Sequence, residues 1–304
     1  PEVPSLICFN KPYGVLSQFN PEGRWRGLKD FIDLPGVYSI YPKSLDEQLV
    51  TDILANPAHP DHPDVAVVVA TVRAMKAHSG RYDIRPGKDL PPEMLEENPG
   101  DVTAGLPNLA AHIEIVRRFG VTPVVAINAF SEDHDSEHEV IRRLCARLGV
   151  QCAVTRHVAE GGAGAAELAE IVLAALENGS AFRFLYDLSA SLVEKIETIA
   201  TQIYGADGID IAPAAARALG EFERLGFGRM PVVIAKTHLS ISSDPKLLGA
   251  PTGWRMPVRE VRVAAGAGYV YAICGDMRTM PGLPKNPNAG RIDLDADGNV
   301  VGLF

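Results

Sequence analysis

Three places in the chain combine residue types and positions that can hold a ligand. Val124-Val125-Ala126-Ile127-Asn128-Ala129-Phe130 reads as a strand ending at Asn128, and open α/β sheets bind ligands at the carboxyl ends of their strands. Phe130 can offer a flat face to a ring there, or it can anchor a loop. Gly161-Gly162-Ala163-Gly164 opens a helical pattern. Glycines at such a turn let a ligand approach backbone N–H groups at the positive end of the helix dipole, and they equally serve a tight strand-to-helix turn. Lys236-Thr237 follows Val232-Val233-Ile234-Ala235. It is a second strand-end pair, either an anion contact or a surface lysine whose stem lies along apolar surface.

Other constellations carry less. His134 and His138 stand four apart among Glu132, Asp133, Asp135, Glu137 and Glu139, without the H-E-x-x-H order of a helical zinc site. An acidic, solvated helix start is the better expectation. Ser240, Ser242 and Ser243 have no matching His and Asp pattern for a nucleophilic triad. Cys8, Cys145, Cys152 and Cys274 lack C-x-x-C spacing, so buried reduced thiols are expected rather than zinc or disulfides. Gly87-Lys88 is the one Gly-Lys pair, and Tyr82 and Asp89 occupy the places where G-x-x-x-x-G-K-[ST] needs Gly and Ser or Thr. No metal ligand set and no catalytic residue is assigned.

The elements that position these residues alternate between short β-branched runs and helical patterns, which predicts an α/β protein with a largely parallel sheet. Val65 to Thr71 is apolar on both parities, as for a strand buried on both faces. Residues 79 to 104, rich in Pro, Gly and Glu, read as a long irregular connection. A helix is predicted from Leu106 to Phe119, closed by Gly120, then a strand from Val124 to Asn128. Ser136 and Glu139 form a capping-box pattern ahead of Ile141, Leu144 and Leu148. A strand over Val150 to Thr155, a helix over Glu167 to Leu176 and a strand over Phe182 to Tyr186 follow. Leu192, Ile196, Ile199 and Ile203 mark a helix ended by Gly205, and Pro213 to Leu225 a helix ended by Gly226. Beyond Met230, strands predominate.

Composition narrows the function classes. The chain has 304 residues, is 46% hydrophobic and 22% charged, and carries a formal net charge of −9. That suits a globular protein and offers no basic field for a nucleic-acid backbone. Apolar runs are far shorter than the ~20 residues of a membrane-spanning helix. Pro1-Glu2-Val3-Pro4 does not read as a signal peptide and looks cut rather than targeted, so a cytoplasmic protein is expected.

A family resemblance rests on blocks in order: Ala70-Thr71-Val72-Arg73-Ala74-Met75-Lys76, Val125 to Phe130, Phe184-Leu185-Tyr186-Asp187, Ile203-Tyr204-Gly205-Ala206-Asp207-Gly208, Ala235-Lys236-Thr237, Asp244 to Gly249, Thr279 to Lys285 and a Gly302-Leu303-Phe304 end. From about residue 63 to 304 the chain resembles the C-terminal portion of a formate–tetrahydrofolate ligase. The resemblance implies a P-loop NTPase-like α/β domain, partial here, and a smaller C-terminal α+β domain. It also implies an ATP- and Mg²⁺-dependent reaction in which formyl phosphate is attacked by N10 of tetrahydrofolate, and a homotetramer. In that family the P-loop lies in an N-terminal half that these residues do not include, so the chain by itself is expected to be inactive. The family brackets an aromatic ring between a Phe, matched by Phe130, and a Trp, whose place Val158 takes in His157-Val158-Ala159-Glu160-Gly161-Gly162. A non-catalytic nucleotide- or folate-binding remnant is the alternative.

The first residues stand apart. Leu6 to Leu16, continuing to Gly36-Val37-Tyr38, resembles the start of a ribosomal large-subunit pseudouridine synthase of the E type. Ser39-Ile40-Tyr41-Pro42 occupies the place of the G-R-L-D element with that family's nucleophilic Asp, and Asp46 reads as a solvated helix-start carboxylate. A fusion, frameshift or assembly junction near residues 42 to 60 is expected. The domain division is 1–60 as an unrelated N-terminal segment, 61–180 as a partial nucleotide-binding α/β domain and 181–304 as the α+β domain.

Overall fold

The structure is a computed structural model that describes residues 6–7, 63–84, 90–179, 181–275, 292–294 and 300–301. Asp46, Gly87-Lys88, Cys8, the Thr279 to Lys285 block and the Gly302-Leu303-Phe304 end lie outside the described residues, as does nearly all of the pseudouridine-synthase-like segment. The first sheet is parallel, in the order β1 (Leu6–Ile7), β2 (Val65–Ala70), β3 (Thr122–Asn128), β4 (Gln151–Thr155). β1 pairs with Val65 and Ala66.

Alternation along the strands builds the first core in two layers, one on each face of the sheet. Val125 and Ile127 pack against α1 (Val72–His78), α3 (Pro99–Arg118) and α4 (Asp135–Leu148), while Val65, Val67, Val124 and Ala126 pack against α6 (Ala166–Leu176). The doubly apolar pattern of the central strand thus has the expected cause, helices on both sides.

Part of the irregular connection expected between 79 and 104 is helical: α2 (Pro92–Leu95) is a single turn, and α3 begins at Pro99. The start of α3 is capped by Asn98, whose Oδ1 accepts the Asp101 N–H at 3.0 Å, with Pro99 at the first position, where its missing N–H costs nothing. Gly105 and Pro107 lie inside this helix and mask its period. Gly105 has a packing reason, because a Cβ there would sit 1.9 Å from the Met75 carbonyl oxygen, so α1 and α3 meet backbone to backbone.

Two further expectations are corrected. Residues 182–186 form no strand. The segment is tied to the first core by Arg183 N–H donating to Phe119 O at 2.9 Å and by Phe182 stacking on Phe119, and to the second by Val232 N–H donating to the Tyr186 hydroxyl at 2.9 Å. α4 starts at Asp135, one residue before Ser136, and its capping carboxylate is Glu137, which accepts the His134 N–H at 3.1 Å; Ser136 instead donates to Glu97.

A second core covers residues 186–274 and packs α7 (Leu192–Gln202) and α8 (Pro213–Arg224) on strands. β5 (Ile209–Ile211) pairs parallel with β7 (Met256–Val258), and β6 (Val232–Ala235) is parallel to β9 (Tyr269–Ile273), which pairs antiparallel with β8 (Glu260–Ala264). Beneath it Lys195 is buried, its ammonium donating to the carbonyls of Leu188, Gly228 and Met230 at 2.8, 2.6 and 3.1 Å. Among the described residues no helix is long and apolar enough to cross a membrane.

Candidate functional site

The carboxyl ends of β2, β3 and β4 form one edge, because the parallel register places Ala70 beside Ile127 and Asn128 beside Thr155. Phe130 lies just beyond β3 and is 40% exposed. Its loop is closed on itself: Phe130 N–H donates to Asp133 Oδ2 at 3.0 Å, and Asp133 N–H donates back to Phe130 O at 3.1 Å. The Arg73 guanidinium, from the first turn of α1, lies 3.9 Å from the ring centroid and is held by Glu132 at 2.6 Å. Such a cation–π contact is worth ~0.5–1 kcal/mol where solvent reaches it, enough to bias the ring's orientation. The Glu132 carboxyl is held below its usual range by hydrogen bonds from its own backbone N–H and from Ser131, with Arg73 contributing less.

The floor of this edge is polar. Asn128 Oδ1 and Arg73 Nε are buried and make no hydrogen bond among the described residues. A buried acceptor and a buried donor left open beside an exposed aromatic face suit a heterocycle whose edge carries both kinds of group.

Residues beyond β4 reach the same edge differently. Val158 sits in the one-turn helix α5 (His157–Glu160) and is 82% exposed. The four glycine-run residues form a 3₁₀ turn over Gly161–Ala165, and α6 begins only at Ala166. Gly161 has φ +60°, a left-handed backbone that favours glycine, and a Cβ on Gly161 or Gly162 would meet nothing within 4 Å. Gly164 serves the turn itself: its carbonyl accepts Arg156 N–H at 2.9 Å, and a Cβ there would lie 2.6 Å from Arg156 backbone atoms.

Lys236 and Thr237 are not part of this edge. They follow β6 and line a cleft with His78, Asn108, His112 and Tyr204. Burial lowers the Lys236 pKa to about 8.

The expectation of a solvated acidic helix start holds at His134 and Asp135, which are exposed, and fails at Glu137 and His138. Glu137 is 0% and His138 3% exposed. Glu137 Oε1 pairs with Lys76 Nζ at 2.5 Å, and His138 Nε2 lies 3.3 Å from Asp133 Oδ2. Sequence reasoning missed Lys76 because its partner comes from a distant helix. The one local hint was a Lys on the same helical face as Val72 and Met75, which a buried face admits only with a counter-charge. Ser240 and Ser242 are buried, their hydroxyls hydrogen-bonded to each other at 2.9 Å and to the backbone of the 240–247 turn. Among the described residues no three His, Cys, Asp or Glu side chains converge as a metal set.

Comparison with known proteins supplies a family. A family model described as formate–tetrahydrofolate ligase matches residues 44–304. A formate–tetrahydrofolate ligase of Cutibacterium acnes is 62% identical over 239 residues, covering 79% of this chain and 42% of the relative. One of Saccharopolyspora erythraea is 62% identical over 238 residues, covering 78% and 42%. One of Roseiflexus sp. is 55% identical over 238 residues with the same coverages. The chain spans 42% of the length of these curated relatives. The pseudouridine-synthase resemblance of residues 5 to 38 finds no support in these matches, since the family match begins at residue 44.

Proposed function

This chain belongs to the formate–tetrahydrofolate ligase family, and we propose that it supplies the ring-binding part of an enzyme that ligates formate to tetrahydrofolate at the expense of ATP. One observation carries the reading: Phe130, 40% exposed, stands at the carboxyl edge of the parallel sheet, with the Arg73 guanidinium 3.9 Å from its ring centroid. The open Asn128 Oδ1 and Arg73 Nε add an acceptor and a donor at the floor. The ligand is an aromatic heterocycle, the pteridine of the folate or the adenine of the nucleotide. The chain's own groups bind and orient it: Phe130 stacks, Arg73 and Glu132 set the Phe130 ring, and Gly161 and Gly162 leave their backbone open to approach.

The described residues fit the ring better than the phosphates. No G-x-x-x-x-G-K-[ST] occurs in the 304 residues, and no metal set forms among the described residues. ATP with its Mg²⁺ would supply the activation of formate, and no step through it is assigned to these residues. The 304-residue chain by itself is thus a binding unit without turnover. By the same family reading it assembles as a homotetramer in the cytoplasm and acts on small molecules. A net charge of −9 argues against nucleic acid as a partner.

The test is calorimetric titration of the 304-residue chain with tetrahydrofolate and with ADP, for the parent and for Phe130→Ala. Stacking on an aromatic is worth ~1–3 kcal/mol, so the variant binds about tenfold to a hundredfold more weakly. Absence of binding by the folded parent, or equal affinity in the variant, refutes the proposal.

A further inference from the structure

Away from the sheet edge, a cleft of about 180 Å³ opens between the two cores. α1 and α3 contribute His78, Asn108 and His112, and the C-terminal part contributes Tyr204, Lys236 and Thr237. The walls are fixed to each other: Gly249 N–H donates to His78 Nδ1 at 3.2 Å, and Asn108 Nδ2 donates to Gly249 O at 3.1 Å.

These bonds dictate what the walls still offer. Because His78 Nδ1 accepts, a neutral His78 carries its proton on Nε2. Thr237 Oγ1 accepts the Leu239 N–H at 3.2 Å, which leaves its hydroxyl hydrogen to donate. Lys236 Nζ donates to the carbonyls of Thr237 and Ser240 and lies 4.7 Å from the Tyr204 ring centroid, with a third N–H remaining. The Asn108 amide keeps a second hydrogen, and the His112 ring has no hydrogen bond among the described residues. The remaining capacity is therefore weighted toward donors. No carboxylate lines the cleft, in a chain with nine more acidic than basic side chains.

We infer that this cleft binds a small tetrahedral oxyanion of the phosphate or sulfate class, held by the Lys236 ammonium and by N–H and O–H donors from His78, His112 and Thr237. A volume of about 180 Å³ exceeds several times the ~30 Å³ share of one water, room for such an ion with part of its hydration. The inference is independent of the ring site, which lies at a different edge.

The titratable groups around the cleft set its pH response. They are His78 on α1, His112 on α3, Tyr204 after α7, Lys236 and His238 after β6, and Cys274 after β9. Burial lowers the pKa of His78; burial, then the charges of His78 and Lys236, lower that of His112. Lys236 loses its proton at about 8. Burial raises Tyr204, and it raises Cys274 to about 12, so neither places a negative charge in the cleft as Lys236 titrates. Anion affinity therefore falls as pH rises through about 8 and grows as pH falls and the histidines gain charge.

The experiment is calorimetric titration of the 304-residue chain with sulfate, whose charge is constant over this range, against chloride at equal ionic strength. Sulfate binds, and about tenfold more weakly above the Lys236 titration than below it, the effect of losing ~1.4 kcal/mol. His112→Gln, which keeps a polar side chain of similar length, weakens binding while leaving the fold intact by circular dichroism, and Lys236→Met weakens it by about tenfold. No heat beyond chloride, affinity that rises with pH, or unchanged affinity in His112→Gln overturns the inference, even if Lys236→Met fails to fold. Tetrahydrofolate titration of the same preparations reads the ring site separately.

Discussion

Removing the Glu137 carboxylate should be among the most damaging single changes in the first core. Lys76 and Glu137 are 1% and 0% exposed and meet at 2.5 Å. The ammonium also donates to Met94 O at 3.0 Å and Glu96 O at 2.6 Å, while the carboxylate accepts the N–H groups of Asn98 at 2.8 Å and His134 at 3.1 Å. One pair thus ties α1, the α2–α3 connection and the start of α4 together. In Glu137→Ala the ammonium keeps two neutral acceptors but loses its counter-charge, and two backbone donors lose their acceptor. Breaking a buried pair by deleting one partner costs ~3–5 kcal/mol, a large share of the ~5–15 kcal/mol that holds a typical domain folded. Lys76→Met costs less, because the remaining carboxylate keeps two N–H donors and the positive end of the α4 dipole. The double variant then costs less than the sum of the singles, with a coupling of ~2–3 kcal/mol. Urea unfolding followed by far-UV circular dichroism, with unchanged m-values, measures all three. A Glu137→Ala cost below ~1 kcal/mol, the level of an exposed pair, or additive singles would refute this reasoning. The Phe130 loop ends at His134, so ring binding should weaken with stability in Glu137→Ala.

Three other outcomes are expected. Val158→Trp adds a second flat side chain beside the Phe130 edge and tightens tetrahydrofolate or ADP binding by ~1–3 kcal/mol, read by the same titration; unchanged affinity would mean that α5 does not approach the ring. The 304-residue chain shows no formate-dependent ATP turnover, because the backbone donors and Lys of a P-loop are absent from its sequence; a coupled ADP-release assay checks this, and activity abolished by Phe130→Ala would contradict it. Among the described thiols, Cys152 is alkylated first. The neighbouring Cys145 thiol lowers its pKa to about 7 by hydrogen bonding, while burial raises Cys274 to about 12, and Cys145 is pushed up by Cys152 and by burial. Thiolate is the reacting form, so the Cys152 rate climbs as pH rises through about 7, and peptide mass spectrometry after brief iodoacetamide exposure resolves the order.

Much of the architecture is legible in the residues because it is local. Capping, glycine stops and apolar period act within one or two turns, so Pro213 with Gly226, and Leu192 with Gly205, bracket α8 and α7 closely. Val65 to Ala70, apolar on both parities, already requires helices on both faces, and a strand end at Asn128 already places Phe130 at the carboxyl edge of the sheet. What only the tertiary structure decides is which distant groups share a low-dielectric space. Gly105 and Pro107 obscure the start of α3 until its backbone is seen against Met75. Phe182 to Tyr186 has strand composition, yet its backbone and aromatic contacts go to Phe119 and Val232 instead of a ladder. His134 to Glu139 looks like a solvated acidic start until Lys76 arrives from α1 and buries Glu137. The cleft joining His78 and His112 to Lys236 and Thr237 exists only because α1 and α3 pack against the chain beyond β6. Burial and charge pairing are long-range in sequence, and no spacing rule along the chain encodes them.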